Sequence, residues 1–143
     1  MIRSRSRGFT LMELLVVLVI IGLLAALVGP MLFGRINPAK REMARSQIQD
    51  FMTALDVYYV DTGHYPTTQE GLKALRHAPP GVTNWHGPYL KTQLPDDPWG
   101  HPYVYHAPGR NGGYEIISYG ADGRPGGQGQ NRDIDSWKRS KTS

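Results

Sequence analysis

Residues 14–33, LLVVLVIIGLLAALVGPMLF, are 20 consecutive positions without a charge. As a helix rising about 1.5 Å per residue they would span roughly 30 Å, the thickness of a bilayer's hydrocarbon core. So small a chain cannot enclose a helix that is apolar on every side, so the pattern predicts a membrane-spanning segment. No second run of this kind follows, which predicts a single pass or a removable leader. A secretory signal peptide fits poorly. Its apolar stretch is about 7–15 residues and ends in a small-x-small cleavage site, which the Ala-Ala-Leu-Val-Gly-Pro of residues 25–30 does not supply.

Beyond this run the apolar positions become periodic. Ala44, Ile48, Phe51, Leu55, Tyr58 and Thr62 recur at spacings of four and three, one stripe of an amphipathic helix over residues 38–61. Arg41, Arg45, Gln49 and Asp56 are placed off that stripe. Asn37-Pro38 reads as an N-cap followed by proline at the first helical position, so residues 34–38 predict a break or bend between the two helical parts. Gly63 and Pro66 end the second part. A short helix follows through Gly71-Leu72-Lys73-Ala74-Leu75, with Thr68 as its cap and Glu70 in its first turn. Pro79-Pro80, Gly87-Pro88 and residues 95–100 read as loops. Residues 103–105 and 114–119 read as strands, joined by a hairpin loop over residues 108–113. The predicted fold is α+β: a long N-terminal helix packed on a small antiparallel sheet, with a glycine-rich C-terminal loop.

Composition sharpens this. Of 17 Gly and 11 Pro, 19 lie from Pro79 onward, so the chain is apolar at one end and turn-dense at the other. A uniform soluble domain is excluded. The absence of cysteine excludes a disulfide framework, a thiolate zinc site and a cysteine nucleophile. A small, loop-rich domain usually needs a staple. Residues 120–137 offer hard oxygen ligands in Asp122, Asp133 and Asp135, among glycines that let carbonyls turn inward, the donors calcium prefers. The spacing is not that of an EF-hand, and it only grazes the glycine-rich calcium nonapeptide. By spacing alone, a plain glycine-rich surface loop is the favoured reading. His64, His77, His86, His101 and His106 have no metal-binding spacing, and no nucleophile elbow, P-loop or dinucleotide fingerprint is present. Asp96-Asp97, set between prolines, read as Asx-type turns and not as acid–base carboxylates.

One residue resists the membrane reading. Glu13 heads the apolar run, with Phe9, Leu11 and Met12 continuing its character ahead. A carboxylate near hydrocarbon costs several kcal/mol unless partnered. Arg7-Gly8-Phe9-Thr10-Leu11-Met12-Glu13 before an apolar helix resembles the leader and N-terminus of type IV pilin-like proteins. The resemblance implies a cytoplasmic leader, residues 1–8, removed by prepilin peptidase between Gly8 and Phe9, with Phe9 then N-methylated. It implies that Glu13 neutralises the new amine of a neighbouring subunit, each relieving the other's desolvation. Gly29 and Pro30 would kink or loosen the span, and the resemblance implies that the helix from Gly22 to Pro30 is partly unwound in assembled filaments. Arg3, Arg5 and Arg7 before the span are balanced by Arg35, Lys40, Arg41 and Arg45 after it, so charge counting leaves orientation open.

The rest of the chain narrows the resemblance. Tyr65-Pro66-Thr67-Thr68, Gly71-Leu72, Gly87-Pro88-Tyr89-Leu90, residues 94–100, Gly120-Ala121-Asp122-Gly123, Asp133-Ile134 and Ser136-Trp137 are similar to the major pseudopilins of type II secretion systems. That family implies one calcium in the C-terminal loop, with Asp122 and Asp133 as acids. Carbonyls at Tyr119 and Arg124, together with Ser136 and Asp135, are weaker candidate ligands. It implies a transmembrane and assembly helix at residues 9–33, a periplasmic domain at residues 34–137 and a basic, disordered tail at 138–143. The implied function is a structural subunit, not an enzyme, that polymerises into a periplasmic pseudopilus. Its implied partners are other copies of the chain, minor pseudopilins, prepilin peptidase and an inner-membrane assembly platform with a cytoplasmic ATPase. A type IV pilin for adhesion, motility or DNA uptake is the alternative, and a membrane-anchored enzyme or calcium-dependent binding module a more distant one. Removing residues 1–8 takes three Arg and no acid from 16 basic and 12 acidic residues, so the formal charge falls from +4 to +1. A nucleic-acid partner is therefore not expected.

Overall fold

The computed structural model describes residues 8–137, with the backbone alone for residues 30–36. The leader positions 1–7 and the basic tail 138–143 lie outside the described residues. The chain divides into two compact units between Asn37 and Pro38.

One helix, α1 (Leu11–Thr62), runs through both units. The break expected at residues 34–38 is absent: Gly29, Pro30, Gly34 and Pro38 are all helical. A proline lacks one N–H and crowds the preceding turn, but the remaining hydrogen bonds can carry a helix past it. In the first unit the window Leu11–Gly29 has a mean hydropathy of 3.0, and none of it is buried.

In the second unit α1 turns one face into a core. Ala44, Ile48, Phe51, Leu55 and Tyr58 are buried as their spacing predicts, and Ala54 joins them. They meet Leu72, Ala74, Leu75, Tyr105, Ile116 and Ile134 in a single cluster. Burying a side chain such as Phe51 or Leu55 contributes about 1.5–3 kcal/mol. Phe51 stands edge-on to Tyr103 at 5.1 Å, and Tyr58 to Tyr89 at 5.5 Å. Burial pushes the phenols of Tyr103, Tyr105 and Tyr114 well above their ordinary range. The helix ends at Gly63, whose φ of 81° suits the left-handed cap and whose N–H donates to the Tyr59 carbonyl at 2.8 Å.

The short helix is a 3₁₀ helix, Gly71–Leu75. Thr68 is not its cap: Glu70 holds the N-cap position, and no side chain caps the helix there. The Glu70 N–H donates to Thr67 Oγ1 at 3.3 Å, and the Thr67 N–H donates to Glu70 Oε2 at 2.8 Å, a reciprocal pair that closes the turn leading into the helix. Thr68 instead clasps Ala107, its hydroxyl donating to the Ala107 carbonyl at 3.1 Å and accepting the Ala107 N–H at 2.9 Å.

Three strands form an antiparallel sheet in chain order: β1 (Val104–His106), β2 (Glu115–Ser118) and β3 (Ile134–Asp135). Tyr105 faces Ile116 and Ser118 faces Ile134. The first two strands form the predicted hairpin, with β1 shifted one residue along from 103–105 and β2 shortened by one residue at each end of 114–119. The third was not predicted. It brings the C-terminal segment back beside β2, so the glycine-rich loop between β2 and β3 starts and ends on the sheet.

Candidate functional site

The first candidate region is the start of α1. Thr10 caps the helix: its carbonyl accepts the Leu14 N–H at 3.2 Å, and its hydroxyl accepts the Glu13 N–H at 3.2 Å. Glu13 therefore lies in the first turn, where the helix dipole favours a carboxylate. No ion pair among the described residues involves Glu13. Gly8 and Phe9 precede the helix and are exposed, Phe9 at 80%. Pro30 lies within the helix.

The second region is the loop from Tyr119 to Ser136. It opens with a 3₁₀ turn, Gly120–Asp122, and contains another, Gly129–Asn131. The two segments approach backbone to backbone at Gly120. A Cβ built there would fall 2.6 Å from the Gln130 carbonyl oxygen and 3.2 Å from that of Arg132. Gly120 also has a φ of 70°, so both space and conformation require glycine at this point.

Both predicted acids are held inside this loop. Asp122 Oδ1 accepts the Arg124 N–H at 3.2 Å. Both carboxylate oxygens of Asp133 accept the Gly126 N–H at 3.0 Å. Tyr119 leads from β2 into the first 3₁₀ turn, and Arg124 is exposed just beyond it. Ser136 and Asp135 belong to the sheet side of the loop. The Ser136 N–H donates to the Ile116 carbonyl at 3.0 Å, and its Oγ accepts the Ile116 N–H at 3.1 Å. Asp135 lies on β3 opposite Ile117.

Among the described residues no three His, Cys, Asp or Glu side chains converge as metal ligands. A cation in this loop would therefore take backbone oxygens besides the carboxylates. The donor chemistry fits a hard cation: two anchored carboxylates, and carbonyls on a backbone whose Gly123, Gly126, Gly127 and Gly129 all have positive φ.

Residues outside the predicted ligand set tie the loop down. Arg41, read as off the helix stripe, is half-buried. Its guanidinium donates to the carbonyls of Gly129 at 3.2 Å and Arg132 at 2.7 Å. Burial, then the nearby charges of Arg45 and Arg132, hold its pKa below the ordinary arginine value. The spacing held the clue, since Arg41 lies three residues before Ala44 and so continues the stripe. At the other end of the loop, Asp97 is buried with its side chain fully covered. Its Oδ1 accepts the N–H groups of Trp99 at 3.0 Å and His101 at 2.9 Å, and its Oδ2 accepts the Ser118 hydroxyl at 2.6 Å. The Trp99 bond is the expected Asx turn, and the Ser118 bond joins that turn to β2. His101 Nδ1 lies 3.2 Å from the Gly120 carbonyl oxygen. Its ring also covers Gly123, where a Cβ would fall 3.0 Å from Nε2.

Comparisons with known proteins divide the chain at nearly the same place as its two units. Residues 3–29 match the family described as prokaryotic N-terminal methylation motif, and residues 31–137 match type II secretion system (T2SS), protein G. The chain is similar to type II secretion system core protein G of Pseudomonas aeruginosa, 45% identical over 94% of this chain and 97% of the relative. It is similar to the protein of the same description from Escherichia coli, 44% identical over 96% and 95%. Among solved structures it resembles the major pseudopilin from the type 2 secretion system of enterohaemorrhagic Escherichia coli, with a TM-score of 0.64 and 35% identity over 74% of this chain and 93% of that one. With the capped apolar helix, the three-stranded sheet and the closing loop all in place, the chain belongs to the protein G family of type II secretion systems, the major pseudopilins.

Proposed function

We propose that this pseudopilin, a structural protein and not an enzyme, polymerises into a periplasmic filament that helps move folded proteins across the outer membrane. The observation that carries the reading is the joining of the two matches in one chain, a methylation motif followed directly by a protein G domain. Prepilin peptidase would cut between Gly8 and Phe9 and leave Phe9 to be N-methylated. The apolar helix of residues 9–33 would hold the subunit in the bacterial inner membrane in a single pass, with residues 34–137 in the periplasm. Minor pseudopilins and an assembly platform driven by a cytoplasmic ATPase complete the set of partners. Deleting the gene tests this. Secretion of exoproteins should fail while surface motility and DNA uptake persist. Loss of motility with secretion intact would instead assign the chain to the adhesive or motile type IV pili.

Calcium is the cation proposed for the loop, with Asp122 and Asp133 as its acids. Tyr119 and Arg124 through their carbonyls, Ser136 and Asp135 are further candidates. Two anchored carboxylates in a glycine-rich turn, in a domain with no disulfide, support this reading. A ligand a hundredfold above its dissociation constant stabilises the folded state by about 2.7 kcal/mol, on the order of 10 °C in Tm for a domain of this size. Chelation of calcium should lower the Tm of the full chain in detergent micelles by about that much. Asp122→Ala should remove the difference. An identical Tm with calcium and with chelator would count against the ion.

A further inference from the structure

We infer that Arg41 is a positioning residue for the calcium loop: from helix α1 its guanidinium holds the Gly129 and Arg132 carbonyls where Asp133 can serve the ion. The inference rests on the calcium reading above and adds to it a residue that reaches the loop from the helix.

The geometry is specific. Arg41 and Arg132 are 91 positions apart in the chain, yet the bond between them is 2.7 Å. Arg132 immediately precedes Asp133, and Gly129 opens the 3₁₀ turn that backs onto Gly120. Both bonds leave one nitrogen, Nη1, whose two N–H groups are fixed in the guanidinium plane, whereas an ammonium on a flexible stem would hold the same two carbonyls less firmly. Hydrogen bonds from a charged donor are roughly twice as strong as neutral ones. Releasing these two would free the segment that carries Asp133, and only the docked fraction of chains could bind the ion. The apparent dissociation constant rises in proportion as that fraction falls.

Electrostatics alone predicts the opposite sign. Arg41 is a positive charge near a proposed divalent cation, so its removal would relieve repulsion and tighten binding. That repulsion acts partly through solvent and is screened by salt, whereas the positional effect is not. The two effects can therefore be separated by the direction of the change.

The measurement is calcium affinity by isothermal titration calorimetry, on the full chain in detergent micelles at physiological ionic strength. Near-ultraviolet circular dichroism would check the fold of each variant. Wild type is compared with Arg41→Gln, Arg41→Lys and Arg76→Gln. Arg76 is the control because its guanidinium also donates to a carbonyl, that of Leu90 at 2.6 Å, but away from the loop. The expected result is an apparent Kd raised about tenfold in Arg41→Gln and by less in Arg41→Lys, with Arg76→Gln unchanged in Kd though lower in Tm. An Arg41→Gln affinity equal to or tighter than wild type overturns the inference, as does an equal weakening in Arg76→Gln. If Arg41→Gln does not fold, Arg41→Lys decides: binding as tight as wild type overturns the inference, and weakened binding supports it. Wild type that binds no calcium overturns the calcium reading itself, a result distinct from all of these.

Discussion

Asp97→Ala is expected to destabilise the globular unit by about 3–5 kcal/mol, enough to leave much of a marginally stable domain unfolded. The carboxylate is covered on all sides and accepts three hydrogen bonds, from the Trp99 and His101 N–H groups and the Ser118 hydroxyl. Alanine leaves three donors without an acceptor. The Ser118 side chain is fully buried and cannot turn to water. Each orphaned buried group costs about 1–3 kcal/mol, and the cavity adds to that. Asp97→Asn separates hydrogen bonding from volume. Its amide oxygen can still take both N–H groups, and its NH₂ can donate to Ser118 Oγ, so a loss of only about 1 kcal/mol is expected. Urea unfolding of both variants checks this. Equal midpoints for Asp97→Ala and wild type would mean that the three bonds contribute little.

The second large effect is on assembly. Glu13→Ala should abolish filaments while leaving the amount of membrane-inserted protein unchanged. The helix start does not depend on the carboxylate, because Thr10 is bonded to the backbone N–H of residue 13, which alanine keeps. The side chain's interaction with the helix dipole is worth only about 0.3–1 kcal/mol. A desolvated pair with a neighbour's terminal amine is different in scale. Removing one partner from such a pair costs about 3–5 kcal/mol, a hundredfold or more in association at each contact. Glu13→Asp keeps the charge with a shorter reach and should give an intermediate yield. The measurement is electron microscopy of filaments from cells carrying the full secretion machinery. Wild-type filament numbers from Glu13→Ala would reduce Glu13 to a residue of the first helical turn.

Some of this molecule can be read from its sequence because it is written in spacing. The stripe from Ala44 to Tyr58 is buried as its period requires, and the hairpin alternation gave β1 and β2. The lone acid ahead of 20 uncharged residues pointed to the family whose N-terminal methylation motif matches residues 3–29. What was missed has no period. Strand β3 is two residues long, emerging from a glycine-rich turn, and only its pairing with β2 makes it a strand. The expected break at Asn37-Pro38 rested on a local signal that starts a helix when isolated but is tolerated within one already formed. Thr67 and Thr68 are adjacent hydroxyls, and Thr68 is drawn away from a capping role by its tertiary clasp on Ala107. Arg41 was read as off the stripe although its spacing continues it, and what its charge does there is visible only once the Gly129 and Arg132 carbonyls are in place. Asp97 was placed in the correct turn, but its burial depends on Ser118, which is distant in sequence.

The clamp between Arg41 and Arg132 has a consequence for the order of events during synthesis. It closes a loop of 91 residues and joins one of the first elements made to one of the last. Helix α1 and the β1–β2 hairpin rely on nearer contacts, and the entropy of closing so long a loop is repaid only once the core has gathered its ends. The C-terminal turn therefore docks late, after residues 132–136 have been made and released. Until then a subunit carries its apolar helix and an unfinished sheet edge at β2 together. Residues 132–136 thus decide when the globular unit is complete.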